Sequence, residues 1–283
     1  MTYLPDEIRN ARVLITVKTY PLPSRSYGEL VCTAGLLNGD KWIRIYPISF
    51  RFLQDEQKYP KYGWVELDLA RKTRDFRPES YRPLRGVDET ISLIDKIGTA
   101  NDWAARKSYA LKEVFTSMNE LIKLAKGPER KSLATLKPEK IVDFVIEDDE
   151  REWKKEWLDQ LKQRNLFETL GPDEKQKRVI KKLPYKFYYR FFSEGDAEPR
   201  QMMIEDWEIG ALFWNCLYRT DGDEEAAKQL VRQKYFDTFL NEKDLHLFVG
   251  TTLKYHNVSP NPFVIIGVFY PPKSSQLTFQ LNA

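Results

Sequence analysis

Between Arg71 and Arg85 the chain reads Arg-Lys-Thr-Arg-Asp-Phe-Arg-Pro-Glu-Ser-Tyr-Arg-Pro-Leu-Arg, which places six cations and two aromatic rings in fifteen residues. Guanidinium forks match phosphate oxygens bidentately and aromatic faces stack on bases, so these residue types at this density suit contact with DNA or RNA. Arg44, Arg71, Lys72, Arg74, Arg77 and Arg82 are the candidate phosphate ligands, and Trp42, Tyr46, Phe76 and Tyr81 the candidate stacking rings. Arg51, Lys58, Lys61, Arg85 and Trp64 extend the same surface. The plainer reading has the rings closing a core and Arg77 and Arg82 paired with Asp75 and Glu79, since charge runs usually belong to solvated faces.

Other constellations are less specific. Glu66, Asp68 and Lys72 stand at even spacing, which puts them on one side of a strand where carboxylates could hold a divalent metal and activate water. The spacing departs from the compact acidic-x-lysine pattern of restriction-like nucleases, and a solvated strand face explains it. Gly250-Thr-Thr followed by Lys254, Tyr255 and His256 could cradle an anion through backbone amides, but lacks the pattern of a P-loop. A plain hairpin loop accounts for it equally, and its polar setting makes His256 a better general-base candidate than His246. Glu205, Asp206 and Glu208 cluster at a helix start, where capping and the helix dipole are reason enough for them.

The elements that must carry these residues are strands first. Val13–Val17 and Glu29–Ala34 are apolar and β-branched, and Asn38-Gly39-Asp40 has the composition of a tight hairpin turn. In Lys41–Tyr46, alternation sets Trp42, Arg44 and Tyr46 on one face and Ile43 and Ile45 on the other. Gly63–Ala70 alternates likewise, with Val65, Leu67 and Leu69 opposite Trp64, Glu66 and Asp68. Short strands, frequent turns and no long helix before residue 90 predict a small antiparallel barrel over residues 1–90. Its architecture resembles small β-barrels of the PUA, ASCH or OB kind, a likeness of fold that carries no function.

Residues 91–178 read as a helical middle region. Leu111, Val114, Phe115, Met118, Leu121 and Ile122 form a stripe within a helix expected from 101 to 125, ended by Gly127-Pro128. A strand is expected from Ile141, a charged helix from Asp148 to Phe167 carrying Trp153, Trp157 and Leu161, and a loop at Gly171–Arg178. Residues 179–283 read as an α+β module: a hairpin of Tyr185–Phe192 and Arg200–Ile204, a helix from Trp207 capped by Asp206, a helix Glu224–Leu240, and strands Leu245–Val249 and Phe263–Phe269. The fold class is therefore α+β, a barrel-like module followed by a helix-rich part.

Composition narrows the functions. The net charge of +3 conceals an N-terminal excess: residues 1–85 hold 15 basic against 10 acidic side chains, residues 86–180 hold 18 against 19, and residues 181–283 hold 12 against 13. A polyanion is attracted to such an excess over about 8–10 Å at physiological salt. Two cysteines, Cys32 and Cys216, give no disulfide framework or zinc motif, and two histidines are too few for a histidine-rich metal site and argue against a Ser-His-Asp triad. No membrane-length apolar run and no signal-peptide pattern are present, which predicts a cytoplasmic address. The expected activity is nucleic-acid recognition without cofactor, metal or chemistry of its own. Competing classes are an assembly subunit presenting the Tyr185–Phe192 hairpin and the Trp207–Trp214 helix to a protein partner, and a metal-dependent nuclease using Glu66, Asp68 and His256.

Overall fold

Alternation along Val65, Leu67 and Leu69 decides the first half of the fold, because all three point into one apolar interior with Val13, Ile15, Ile43 and Ile45. In the computed structural model, which describes residues 4–24, 28–48, 50, 53, 58–86, 89–156 and 180–273, this interior is a closed barrel. Its strands are β1 (Glu7–Lys18), β3 (Gly28–Leu37), β4 (Lys41–Ile48), β5 (Gly63–Arg71) and β6 (Ser80–Pro83). β1 pairs antiparallel with both β3 and β5, β3 with β4 and β5 with β6, and a parallel pairing of β4 with β6 completes the ring. β2 (Leu22–Ser24) adds to β3, and β7 (Ser92–Lys96) adds to β5. The Asn38-Gly39 turn takes positive φ at both residues, as a tight hairpin requires. A Cβ on Gly39 would lie 2.6 Å from the Tyr109 ring, so glycine is needed there for space as well.

The expected helix over 101–125 is divided. α1 (Ala100–Ala110) and α2 (Met118–Lys126) flank a short strand, β8 (Val114–Phe115), that pairs in parallel with β9 (Leu133–Leu136). Ser117 starts α2 afresh, its hydroxyl accepting the Glu120 N–H at 3.5 Å. Met118 and Leu121 then reach the core from α2, whereas Phe115 reaches it from the strand. β10 (Lys140–Asp148) runs through the expected start of the charged helix at Asp148. Trp157, Leu161 and the Gly171–Arg178 loop lie outside the described residues.

The C-terminal half has two sheets and a helical layer. β10 pairs with β11 (Tyr185–Phe192), which pairs with β12 (Arg200–Met203). β14 (Phe263–Phe269), β13 (His246–Thr251), β9 and β8 form the second sheet in that order. α3 (Trp207–Arg219) and α4 (Glu224–Arg232) bury Ile209, Phe213, Ala227 and Val231, and a π-helical turn over Gln233–Thr238 leads from α4 into α5 (Phe239–Glu242). Sheet pairing crosses both expected boundaries, since β7 joins the barrel from beyond residue 90 and β10 joins β11 across residues 178–179.

A third core fuses the halves. Leu14, Val17, Ala34 and Leu36, on the outside of the barrel, pack against Leu133, Phe248, Ile266 and Phe269 of the second sheet. Each of these side chains except that of Ala34 contributes about 1.5–3 kcal/mol over its exposed state. One outer face of the barrel is thus removed from water, and the candidate residues on it with it.

Candidate nucleic-acid interface

Arg44 stands between Trp42 and Tyr46 on the outward face of β4, as alternation requires. The C-terminal half covers that face, so Arg44 is 4% exposed. Its Nη1 donates to the hydroxyls of Ser80 (3.3 Å) and Ser132 (2.9 Å), and its Nη2 to the carbonyls of Ser132 (3.2 Å) and Thr251 (3.3 Å). Burial, with the Arg77 charge adding to it, pushes the Arg44 guanidinium below its ordinary range.

Arg77 is also buried. Nε and Nη2 grip the two oxygens of Asp75 at 2.8 and 2.5 Å, while Nη1 donates to the Thr251 carbonyl at 2.5 Å. Glu79 accepts from the N–H (3.0 Å) and hydroxyl (2.9 Å) of Ser132. These groups form a satisfied polar cluster between barrel and second sheet, as buried charge requires. The expected Arg77–Asp75 pair exists, whereas Arg82 donates to the carbonyls of Pro83 (3.1 Å) and Leu84 (2.8 Å).

Several candidates therefore do not stand on an open rim. Arg44 and Arg77 are buried because the neighbouring half provides the partners that water would have. Tyr81 is fully buried in the barrel core with its hydroxyl donating to the Pro5 carbonyl at 2.7 Å, so it cannot stack on a base. Trp42 packs edge-on against Phe248 with centroids 5.5 Å apart. Cys32, half-buried nearby, has its thiol pushed up by burial against the opposing charges of Arg44 and Arg77, which keeps it protonated at neutral pH.

What stays at the surface is a narrower set. Arg74 and Arg82 are exposed, Arg71 and Lys72 are half-buried, and Lys72 Nζ lies 4.3 Å from the centre of the Tyr46 ring. Burial, with Arg77 contributing, lowers the Lys72 pKa while Asp75 opposes the shift. Phe76 meets His256 edge-on at 5.0 Å and carries the guanidinium of Arg130 at 5.4 Å. Arg130 is exposed on a turn with positive φ, fixed by its N–H to the Gly127 carbonyl at 3.2 Å. In the turn after β13, Lys254 lies 5.0 Å from the ring of Tyr255, which is 48% exposed. Local sequence holds no sign that Arg130 or Lys254 would join the Arg71–Arg85 segment. Their placement follows from the Arg77–Thr251 contact and the Phe76–His256 pair.

Residues 114–282, more than half of the chain, match the family described as a domain of unknown function, DUF8757, and residues 9–112 match a second domain of unknown function, DUF8758. The chain belongs to the DUF8757 family. No curated protein matches it. The buried cluster joins the two matched segments, with Arg44 and Arg77 from the DUF8758 segment and Ser132 and Thr251 from the DUF8757 segment.

His256 departs from the polar-loop setting that made it the better general-base candidate. It is fully buried, with Nε2 donating to the Ala125 carbonyl and Nδ1 accepting the Thr251 hydroxyl, both at 2.8 Å. Asp68 accepts from the Asn10 N–H (2.8 Å) and Arg9 Nη1 (3.1 Å), which hold its carboxyl below the usual range. Among the described residues no group of His, Cys, Asp and Glu side chains is placed to hold a metal ion, so Glu66, Asp68 and His256 do not form one. Asp206 caps α3 as expected, accepting the Glu208 N–H at 3.1 Å, and binds buried Lys61 at 2.7 Å. In the hairpin and helix expected to face a partner, Tyr185, Phe187, Tyr189, Phe191 and Phe213 are core residues, whereas Tyr218 beyond them is 86% exposed. No helix among the described residues is long and apolar enough to cross a membrane.

Proposed function

We propose that the protein binds nucleic acid through its phosphate backbone, at the surface formed by the Lys72–Phe76 loop, Arg130 and the turn carrying Lys254. The observation that supports this most directly is the repeated setting of a cation on a ring: Lys72 on Tyr46, Arg130 on Phe76 and Lys254 on Tyr255. Four separate chain segments contribute these pairs, and Arg74 is exposed beside them. A ring that already carries a cation orients that cation and is not a vacant platform for a base. The ligand is then held by charge and phosphate geometry, largely without regard to sequence.

Binding of short labelled DNA and RNA oligonucleotides, followed by fluorescence anisotropy across a salt series, tests this reading. The wild type should bind with a log–log salt dependence, and the combined Arg74→Ala, Arg130→Ala and Lys254→Ala variant should bind more weakly. On duplex DNA its salt slope should also be shallower by about 0.9 for each phosphate that the variant no longer neutralises. An unchanged affinity and slope in that variant would overturn the assignment.

A further inference from the structure

Beside the Pro78–Glu79 corner a cleft of about 680 Å³ opens between the barrel and α2. That volume lies within the range of small-molecule sites. Trp42, Phe115, Leu124 and Leu133 supply its apolar lining, and the charged lining comprises five carboxylates against three ammonium groups. Two of those lysines are engaged already: Lys112 pairs with Asp40 at 3.7 Å, and Lys131 with Glu113 at 2.9 Å. Glu79 is taken up by Ser132. Glu120 and Glu129 also line the cleft, and neither has an ion-pair partner among the described residues. Glu120 lies in the first turn of α2.

An aromatic and aliphatic floor under an acidic rim selects a ligand with an apolar body and a positive charge. We propose that this cleft binds a small organic cation, its apolar part on Trp42 and Leu124 and its charged end towards Glu120 and Glu129. The same carboxylates repel phosphate, so the cleft is distinct from the neighbouring polyanion surface.

A charge series on one apolar body tests the proposal: 2-phenylethylammonium, neutral 2-phenylethanol and anionic 3-phenylpropionate. Each is titrated into the full chain and followed by two-dimensional NMR, with the Trp42 indole N–H assigned from Trp42→Phe. The ammonium compound should shift the Trp42 signal and bind at least about tenfold more tightly than the carboxylate, the expected reach of one or two opposite charges at close range. The Glu120→Gln and Glu129→Gln double variant should lose that preference and retain the wild-type circular dichroism spectrum. Equal affinities for the three compounds, shifts confined to signals outside the cleft, or no response to any of them would overturn the proposal.

Discussion

Arg77 and Thr251 are joined by a 2.5 Å hydrogen bond from a guanidinium in the barrel half to a backbone carbonyl 174 positions further along the chain. Arg44 donates to the same carbonyl at 3.3 Å, so two cations converge on one acceptor. Asp75 makes this tolerable. Burial pushes its carboxyl up, but the hydrogen bonds and charge of Arg77 outweigh that and hold it below the usual carboxylate range. The contact fixes the Lys72–Phe76 loop against the end of β13 and thereby brings Arg130 and Lys254 beside it.

Arg77→Ala should cost about 3–5 kcal/mol, because it leaves the Asp75 carboxylate buried and unpaired. Adding Asp75→Asn should recover part of that loss. Urea denaturation of both single variants and the double variant measures the coupling. Strict additivity of the two changes would contradict the pairing. The depressed Asp75 pKa contributes stability that is present above its unfolded value of about 3.9 and lost as pH falls through the lower folded value.

The barrel was legible in the sequence because the alternation along β5 survives in its burial. Val65, Leu67 and Leu69 alternate with Trp64, Glu66 and Asp68, and the period of two identifies which side faces inward. The same alternation sorted Arg44 correctly onto the outward face of β4. It could not show that outward meant covered, since what covers Arg44 is Ser132 and Thr251, 88 and 207 positions away. Helix periodicity failed at Val114 and Phe115 for a related reason: spacing that suits a helix stripe also suits a short strand, and pairing with β9 decided between them. Arg130 and Lys254 joined the candidate surface through interactions of the same long range.

Acid should weaken the fold from near neutrality. Burial lowers the pKa of both His256 and His246, with nearby cations contributing, although Asp244 opposes the shift at His246. For groups lowered in this way the unfolded chain binds more protons between the folded value and about 6.5, so stability is complete above that pH and falls below it. Each histidine adds a slope of at most about 1.4 kcal/mol per pH unit in that window. His256→Gln should flatten the fall measured by denaturation between pH 7 and pH 5, and an unaltered slope would exclude His256 from it.

Phe76 offers a test of how the proposed surface holds its ligand. If the ring serves to orient Arg130, Phe76→Leu should reduce oligonucleotide affinity modestly and to the same degree for every base composition. Base stacking would instead lose about 1–3 kcal/mol, with a preference among bases. Anisotropy titrations with homopolymeric oligonucleotides distinguish the two, and a base-dependent loss in Phe76→Leu would return the ring to a stacking role.

Lys18 carries a charge that the fold bears at a cost. Its Nζ donates to the Tyr59 carbonyl at 3.1 Å and lies 4.3, 5.8 and 5.6 Å from the rings of Phe50, Tyr59 and Trp207. Burial, with the Lys61 charge adding to it, lowers its pKa to about 8. A lysine lowered in the folded state opposes folding fully below that value, and the opposition is relieved as pH rises towards about 10.4. Lys18→Met keeps an unbranched side chain one heavy atom shorter and meets the aromatic box without charge. After the missing hydrogen bond and cation–ring attraction are set against it, the substitution should stabilise the protein at pH 7 by about 1 kcal/mol. The gain should shrink as pH rises from 8 towards 10, where the wild-type ammonium also loses its proton. Chemical denaturation of both proteins at these pH values measures it, and a Met variant that is less stable at pH 7 would show that the ring interactions outweigh the burial of the charge.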